Sequence, residues 1–151
     1  MRAYLLLLAA FSFSGVAAAQ SGPCTEAGVK ATKGAAAKGA LPHSADHYFF
    51  SGALDKPVIG DQAMRQAATA ITASRKNESE VESTGRIFTD GSGAMAYEYG
   101  TVHIAFDDVK TGQHEDFTSA YLRVWRAEGG TCKVVAEMAE PEKTQQPAAK
   151  N

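Results

Sequence analysis

The C-terminal half of the chain contains three long strand-like segments joined by short turns rich in glycine. They span residues 95–106, 117–126 and 132–138, and Gly129-Gly130 separates the last two. Each segment is rich in the β-branched and aromatic residues that favour strands, and a Gly-Gly pair is typical of a hairpin turn. Because helical sequence precedes them, the pattern predicts an α+β domain in which a curved antiparallel sheet carries helices on one face and wraps a cavity.

The sequence before these strands predicts two helical regions and a short strand. A helix is expected over residues 25–33 with Thr25 as its N-cap, followed by an alanine-rich helical stretch over 35–48 that Gly39 and Pro42 shorten or kink. Residues 47–51 then indicate a brief strand.

The clearest helix is predicted over residues 61–74, with Asp61 as its cap. Its apolar residues recur with helical spacing and would share one face, and they are Met64, Ala67, Ala68 and Ile71. A further strand is expected over residues 81–89, followed by a hairpin turn. Gly100, inside a long strand, predicts a bulge or bend that lets the sheet curl.

The N-terminus has the features of a signal peptide. Arg2 provides a positive charge, residues 4–11 are apolar, and Ala17-Ala18-Ala19 fits the cleavage rule of small residues. The apolar run is shorter than the roughly 20 residues that a membrane span needs. We therefore expect residues 1–19 to be removed from a bacterial protein of the periplasm or medium, leaving one domain over 20–140 and a disordered polar tail over 141–151.

Charge argues against two classes of partner. The chain has 15 basic and 17 acidic residues, a net charge of −2, and the basic residues do not cluster in any segment. Nucleic-acid binding proteins carry a concentrated basic patch. We predict neither a nucleic-acid partner nor a membrane partner.

Two cysteines, Cys24 and Cys132, would remain after cleavage of the leader. In an oxidising compartment an even number of cysteines favours a disulfide, here one that joins the N-terminal segment to the last strand. The alternative is two separate thiols. The two residues do not form a Cys-x-x-Cys motif, so a redox enzyme is not indicated.

The order of these segments resembles the nuclear transport factor 2-like superfamily, in its SnoaL-like and ketosteroid-isomerase-like branch. The resemblance covers about residues 26–141 and is carried by the loop 57–60 (Pro-Val-Ile-Gly) and by residues 96–100, 121–126 and 133–138. It is nearest to exported members grouped as a domain of unknown function. It implies a cone-shaped fold with three helices, a pocket inside the cone, and dimers that form through the outer face of the sheet.

The chain departs from the isomerases of that branch at two positions. The resemblance places Ser51 where those enzymes carry a carboxylate base, and a serine without a neighbouring base cannot remove a proton from carbon near neutral pH. Asp55 is the nearest carboxylate but should lie in the loop. Cys132 stands where the last strand usually opens with tryptophan. The sequence therefore favours a binding protein over an enzyme.

Strand alternation defines a candidate ligand site. It puts Tyr97, Tyr99 and His103 on one face of their strand, and Tyr121 and Trp125 together on the next. With Phe50 these residues could line an aromatic pocket that has polar groups. The alternative is ordinary packing between aromatic side chains of neighbouring strands.

His43 and His47 are four residues apart and could hold a metal ion if they shared a helix face. The spacing assigns no third ligand, so no metal site is predicted, and no motif indicates a cofactor.

Three hypotheses follow. The first is an exported, homodimeric protein that binds a small apolar or amphipathic molecule in the cone. The second is an isomerase, cyclase or dehydratase that uses Glu98 or His103 as general base and a tyrosine as hydrogen-bond donor. The third is an interaction module whose own side chains fill the cavity.

Overall fold

The computed structural model describes residues 22–36, 41–52, 54 and 56–142. Two helices and six strands follow one another in the order α1 (Glu26–Ala35), β1 (His43–Ser51), β2 (Val58–Ile59), α2 (Asp61–Ser74), β3 (Arg75–Thr89), β4 (Met95–Asp108), β5 (His114–Glu128) and β6 (Thr131–Pro141). The predicted signal peptide, Asp55 and residues 143–151 of the predicted tail lie outside the described residues.

The strands form one curved, open sheet in the order β2-β1-β6-β5-β4-β3. All neighbouring pairs are antiparallel except β1 and β6, which run parallel. The predicted α+β class and curved sheet are confirmed. Two details of the prediction are wrong: the sheet is mixed rather than antiparallel, and the described part of the chain has two helices rather than three.

The predicted second helical stretch is replaced by a strand. Residues 43–51 form β1, which pairs with β6 on one side and with β2 on the other. Helix propensity is a weak preference that such tertiary pairing overrides, and Pro42 lies immediately before the strand. Thr25 does cap α1 as predicted, since its hydroxyl accepts a hydrogen bond of 3.1 Å from the amide of Gly28.

Asp61 is predicted as the cap of α2, but the helix begins at Asp61 itself, one residue earlier than that prediction implies. Gly60, with a φ of 87°, occupies the cap position, and Asp61 is the first helical residue. The side chain of Asp61 instead pairs with Arg65, one turn further along. None of the side chains of α2 is fully buried, and the predicted apolar face is only half covered. Ile71 is 40% exposed.

The long edge strand β3 begins at Arg75, six residues before the predicted start, and is interrupted by a bulge. The register with β4 shifts between Thr84 and Arg86, so the extra residue is Gly85 in β3 rather than Gly100 in β4. Gly100 faces this bulge. A Cβ atom on Gly100 would lie 2.2 Å from the carbonyl oxygen of Ser83, so the close approach of the two strands requires glycine there.

The hydrophobic core lies at the end of the sheet where α1 packs. Its buried residues are Cys24, Val29, Ala96, Trp125, Cys132 and Val134. The predicted disulfide between Cys24 and Cys132 is present, and it connects the segment before α1 to β6 over a separation of 108 residues. Because α1 covers this side of the sheet, we call it the inner face and the opposite side the outer face.

No helix among the described residues is long and apolar enough to cross a membrane.

Candidate functional site

A row of charged side chains crosses the inner face of the sheet. Glu98 on β4 lies opposite Arg123 on β5, and Arg123 lies opposite Glu137 on β6. Glu82 on β3 extends the row, and Lys33 reaches it from α1. We call these five residues the charged belt.

Glu98 lies at the centre of the belt and is completely buried. One carboxylate oxygen lies 2.9 Å from Nζ of Lys33, and the other lies 3.4 Å from a guanidinium nitrogen of Arg123. Both oxygens are therefore occupied by cations, and Glu98 has no contact with solvent. A group in this position balances the charges of the two cations beside it.

Arg123 joins the carboxylates of three strands. Besides Glu98, its guanidinium contacts Glu82 at 2.6 Å and Glu137 at 3.2 Å. It also lies over the ring of Tyr121, 4.3 Å from the ring centroid, where a cation is attracted to the aromatic face. The hydroxyl of Tyr121 donates a 2.8 Å hydrogen bond to Glu82.

The surroundings lower the pKa of one belt residue, Glu82, and raise the pKa values of Glu137 and of the neighbouring Tyr121. Burial would raise the pKa of Glu82, but hydrogen bonds from Lys33 and Arg123 lower it to about 2. Burial raises the pKa of Glu137, against the opposing charge of Arg123. It likewise raises the pKa of Tyr121 to about 12. Widely separated pKa values in one cluster are typical of functional sites.

Two histidines of β1 lie beside Glu137 at the end of the belt. The ring centroids of His43 and His47 are 4.3 Å apart, and the two rings and the carboxylate of Glu137 each offer a ligand atom within 4.8 Å of the others. His47 is completely buried, and neither of its ring nitrogens has a hydrogen-bond partner. Burial and the charge of His43 lower the pKa of His47 to about 4, so the ring is neutral near pH 7.

The six residues of the predicted aromatic pocket do not lie together. Tyr97, Tyr99 and His103 project from the outer face, where each is partly exposed. Tyr97 stacks on Phe88 of β3 with ring centroids 4.7 Å apart, which is the cross-strand packing of the alternative interpretation. His103 forms a 2.8 Å hydrogen bond with Asp116.

The other three residues are divided between the faces. Phe50 pairs in register with Met138 and, together with Tyr121 and Leu122, lines an apolar cavity of about 260 Å³. Tyr121 contacts the belt on the inner face, and Trp125 is completely buried in the core.

Ser51, the residue at the resembled base position, ends β1 and pairs in register with Ala139.

Sequence reasoning identified Glu98 but not the rest of the belt. Strand alternation does place Arg123 in register with Glu98, and Glu137 in register with Arg123, so charges at inward positions were the available signal. No local pattern connects Lys33 to them, because its position depends on how α1 packs. The third residue beside the histidine pair, Glu137, is likewise distant in sequence.

Searches with known families and curated proteins found no match to the chain. Solved structures do match. A ketosteroid isomerase-like protein from Erwinia carotovora atroseptica SCRI1043 superposes with a TM-score of 0.61 at 10% identity, over 78% of this chain and 82% of that one.

Two further structures extend the comparison. The hexachlorocyclohexane dehydrochlorinase LinA-type3 from Novosphingobium barchaimii LL02 gives a TM-score of 0.59 at 13% identity, over 81% of each chain. A nuclear transport factor 2-like superfamily protein from Salmonella enterica serovar Typhimurium LT2 gives 0.58 at 12% identity, over 72% of this chain and 76% of that one. At these identities the likeness concerns the fold alone, and the chain has a fold like that of these nuclear transport factor 2-like and ketosteroid isomerase-like proteins.

Proposed function

We propose that the protein binds a small amphipathic molecule against the inner face of its sheet. The observation that carries this proposal is the charged belt, in which Glu98 and Arg123 are buried and the other three side chains are partly exposed. Buried ion pairs contribute little net stability, and well-packed apolar residues would serve the fold as well. A belt of five charged side chains is therefore better explained by recognition of a ligand than by folding.

The inner face carries charged and apolar side chains next to each other, which supports an amphipathic rather than a purely apolar ligand. Beyond the belt, the face becomes apolar at Val102, Phe106 and Phe117. On α2, Met64 and Ala67 are only half-buried, which leaves apolar surface for a ligand to cover. Binding sites of small molecules combine such apolar walls with a few convergent polar groups.

The second candidate is an enzyme, which the names of the ketosteroid isomerase-like and dehydrochlorinase neighbours favour. The two general bases considered from the sequence do not support it. Glu98 is buried between two cations, and His103 lies on the outer face beside Asp116. We therefore favour binding without catalysis.

Native mass spectrometry of the protein from a periplasmic extract tests the proposal. With a chelator present to remove metal ions, we expect an added organic mass that disappears on denaturation. A clean mass that stays clean after incubation with the small-molecule fraction of the extract would contradict ligand binding and favour the interaction module. Turnover of a recovered ligand by the protein would favour the enzyme.

Two matched variants locate the site. Tyr121→Phe removes the hydroxyl that donates to Glu82 on the inner face, and Tyr97→Phe makes the same change on the outer face. We expect the first to weaken retention of the ligand by about three- to tenfold, the worth of one hydrogen bond, and the second to leave it unchanged. Equal effects, or the reverse order, would put the ligand elsewhere.

We further propose that the protein is exported and forms a homodimer through its outer face. The disulfide supports export, because such bonds persist mainly in oxidising compartments. The outer face supports self-association, since large apolar side chains are exposed along it, namely Tyr48, Met95, Tyr97, Tyr99, Leu122 and Met138. At one end of this face Arg126 lies beside Asp46, so charges of both signs are present, as self-complementary interfaces require.

A further inference from the structure

We infer that His43, His47 and Glu137 form a binding site for one divalent transition-metal ion of the zinc type. The inference does not depend on the organic ligand proposed above. It rests on the positions of three side chains, on their burial and on the lack of any other partner for one of them.

The three side chains converge although only two are near in sequence. His43 and His47 come together across an irregularity in the pairing of β1 with β6, and this parallel pairing brings Glu137 beside them. Their ligand atoms lie within 4.8 Å of one another. An ion bound at about 2.0–2.2 Å from each ligand needs those atoms about 3–4 Å apart. Small side-chain rotations that move the ligand atoms by about 1 Å would bring them to these distances.

His47 points independently to a missing partner. It is completely buried, and both of its ring nitrogens lack a hydrogen-bond partner. Buried polar atoms are nearly always satisfied, and an unsatisfied pair in one ring requires an explanation such as an unseen ion. An ion bound to one nitrogen would supply that partner.

The surroundings provide the second layer of contacts that metal ligands usually have. The guanidinium of Arg123 lies beside the carboxylate of Glu137, 3.2 Å away at its Nε, as an ion pair. Groups that orient a ligating carboxylate in this way tune metal affinity.

The donor set selects the ion. Imidazole nitrogens suit zinc, iron, nickel and copper, whereas magnesium and calcium prefer sites made of oxygen atoms. Two histidines and one glutamate are the protein ligands of several zinc sites that leave a coordination position open. We therefore expect zinc to bind and magnesium not to compete with it.

Calorimetric titration of the metal-free full chain with zinc chloride at neutral pH tests the inference. We expect saturation at one ion per chain and no displacement by excess magnesium. The four histidines of the chain provide both variants and controls. His43→Ala and His47→Ala should each weaken zinc binding by about tenfold or more, since even second-layer changes cost that much. His103→Ala and His114→Ala, which alter exposed histidines paired with aspartates, should not change it.

The fold of each variant is checked by circular dichroism and by thermal unfolding without metal. If His47→Ala fails to fold, the variant at the half-buried His43 tests the inference alone. Zinc should then raise the melting temperature of the natural protein but not that of His43→Ala. Three results would overturn the inference: no saturable zinc binding, unchanged binding in His43→Ala, or loss of binding only in His103→Ala or His114→Ala. The last would identify an exposed histidine as the binding group.

Discussion

Among single residues, Glu82 shows how the charged belt makes the stability of the fold depend on pH. Its folded pKa of about 2 lies below the ordinary value of 4.5, because hydrogen bonds from Lys33 and Arg123 outweigh the effect of burial. Above pH 4.5 the carboxylate is ionised in both the folded and the unfolded chain, so its full stabilisation is present. As the pH falls from 4.5 toward 2, the unfolded chain takes up the proton first and this stabilisation is lost.

Glu82→Gln should therefore flatten the acid limb of the stability curve. We expect the natural protein to lose up to about 3 kcal/mol between pH 4.5 and pH 2 through this group, and the variant to lose correspondingly less. Urea unfolding at a series of pH values measures the difference. Glu80→Gln, an exposed carboxylate two residues away on β3, is the control and should follow the natural protein. Parallel curves for Glu82→Gln and the natural protein would contradict the assignment.

Replacing glycine with alanine should change the stability of the fold in opposite directions at Gly100 and Gly34. At Gly100 a methyl group would meet the carbonyl of Ser83 at 2.2 Å and the hydroxyl of Tyr121 at 2.8 Å, whereas at Gly34 in α1 nothing lies within 4 Å. Gly100→Ala should destabilise the fold by at least about 2 kcal/mol. Gly34→Ala should stabilise it by about 0.5–1 kcal/mol, because alanine favours helix. Urea unfolding measures the free energy of unfolding of both variants. If Gly100→Ala proved as stable as the natural protein, the two strands would have to be able to move apart at Gly100.

Among the elements, α1 depends most on its attachment. A helix of 10 residues is marginal by itself, and α1 has one fully buried side chain, Val29. The disulfide fixes the segment just before it, and the ion pairs of Lys33 hold its other end against the belt. The two attachments position the helix over the inner face.

Replacing both cysteines with alanine should lower the free energy of unfolding by about 3–5 kcal/mol, since the bond closes a loop of more than a hundred residues. We also expect trypsin to cleave at Lys30 or Lys33 in the variant before it cleaves elsewhere. Thermal unfolding and mass mapping of early fragments measure both effects. Early cleavage confined to β3 instead would mean that α1 holds its place without the disulfide.

In the whole molecule, the parts predicted well are those whose information is local. The strands β4, β5 and β6 carry strong alternation and end at glycine turns, and Gly129 and Gly130 have the positive φ values, 58° and 80°, that such a turn needs. The brief strand predicted over residues 47–51 is the second half of β1, whereas its first half is predicted as helix because the alanine-rich approach has helical propensity and the partner β6 is about 90 residues away. Pairing between strands so far apart in the sequence cannot be predicted from a local pattern.

The candidate site was predicted less completely than the fold for the same reason. Alternation indicated that Glu98 could face inward, but it did not reveal that Lys33 and Arg123 would occupy its carboxylate. The histidine pair was visible in the sequence, whereas Glu137 joins it only through the register of β1 on β6. Which of the two faces carries the helices also had to come from packing.

The apolar outer face gives the prediction that concerns the whole molecule. A stable interface covers about 800 Å² on each partner, and a dimer with twofold symmetry would bury the same residues on both copies. Leu122, 38% exposed, lies on the outer face between Tyr99 and Met138. Leu122→Glu would place one charge from each copy in that interface. Desolvation of each charge costs several kcal/mol, so the dissociation constant should rise by at least about a hundredfold.

Light scattering after size-exclusion chromatography, over a range of protein concentrations, measures this change. Ile71→Glu is the matched control, because Ile71 has nearly the same exposure, 40%, but lies on α2 across the sheet. We expect the natural protein and Ile71→Glu to be dimers and Leu122→Glu to be a folded monomer. A monomeric natural protein would contradict the homodimer itself. A dimer lost in Ile71→Glu but kept in Leu122→Glu would place the interface on the helical side of the sheet instead.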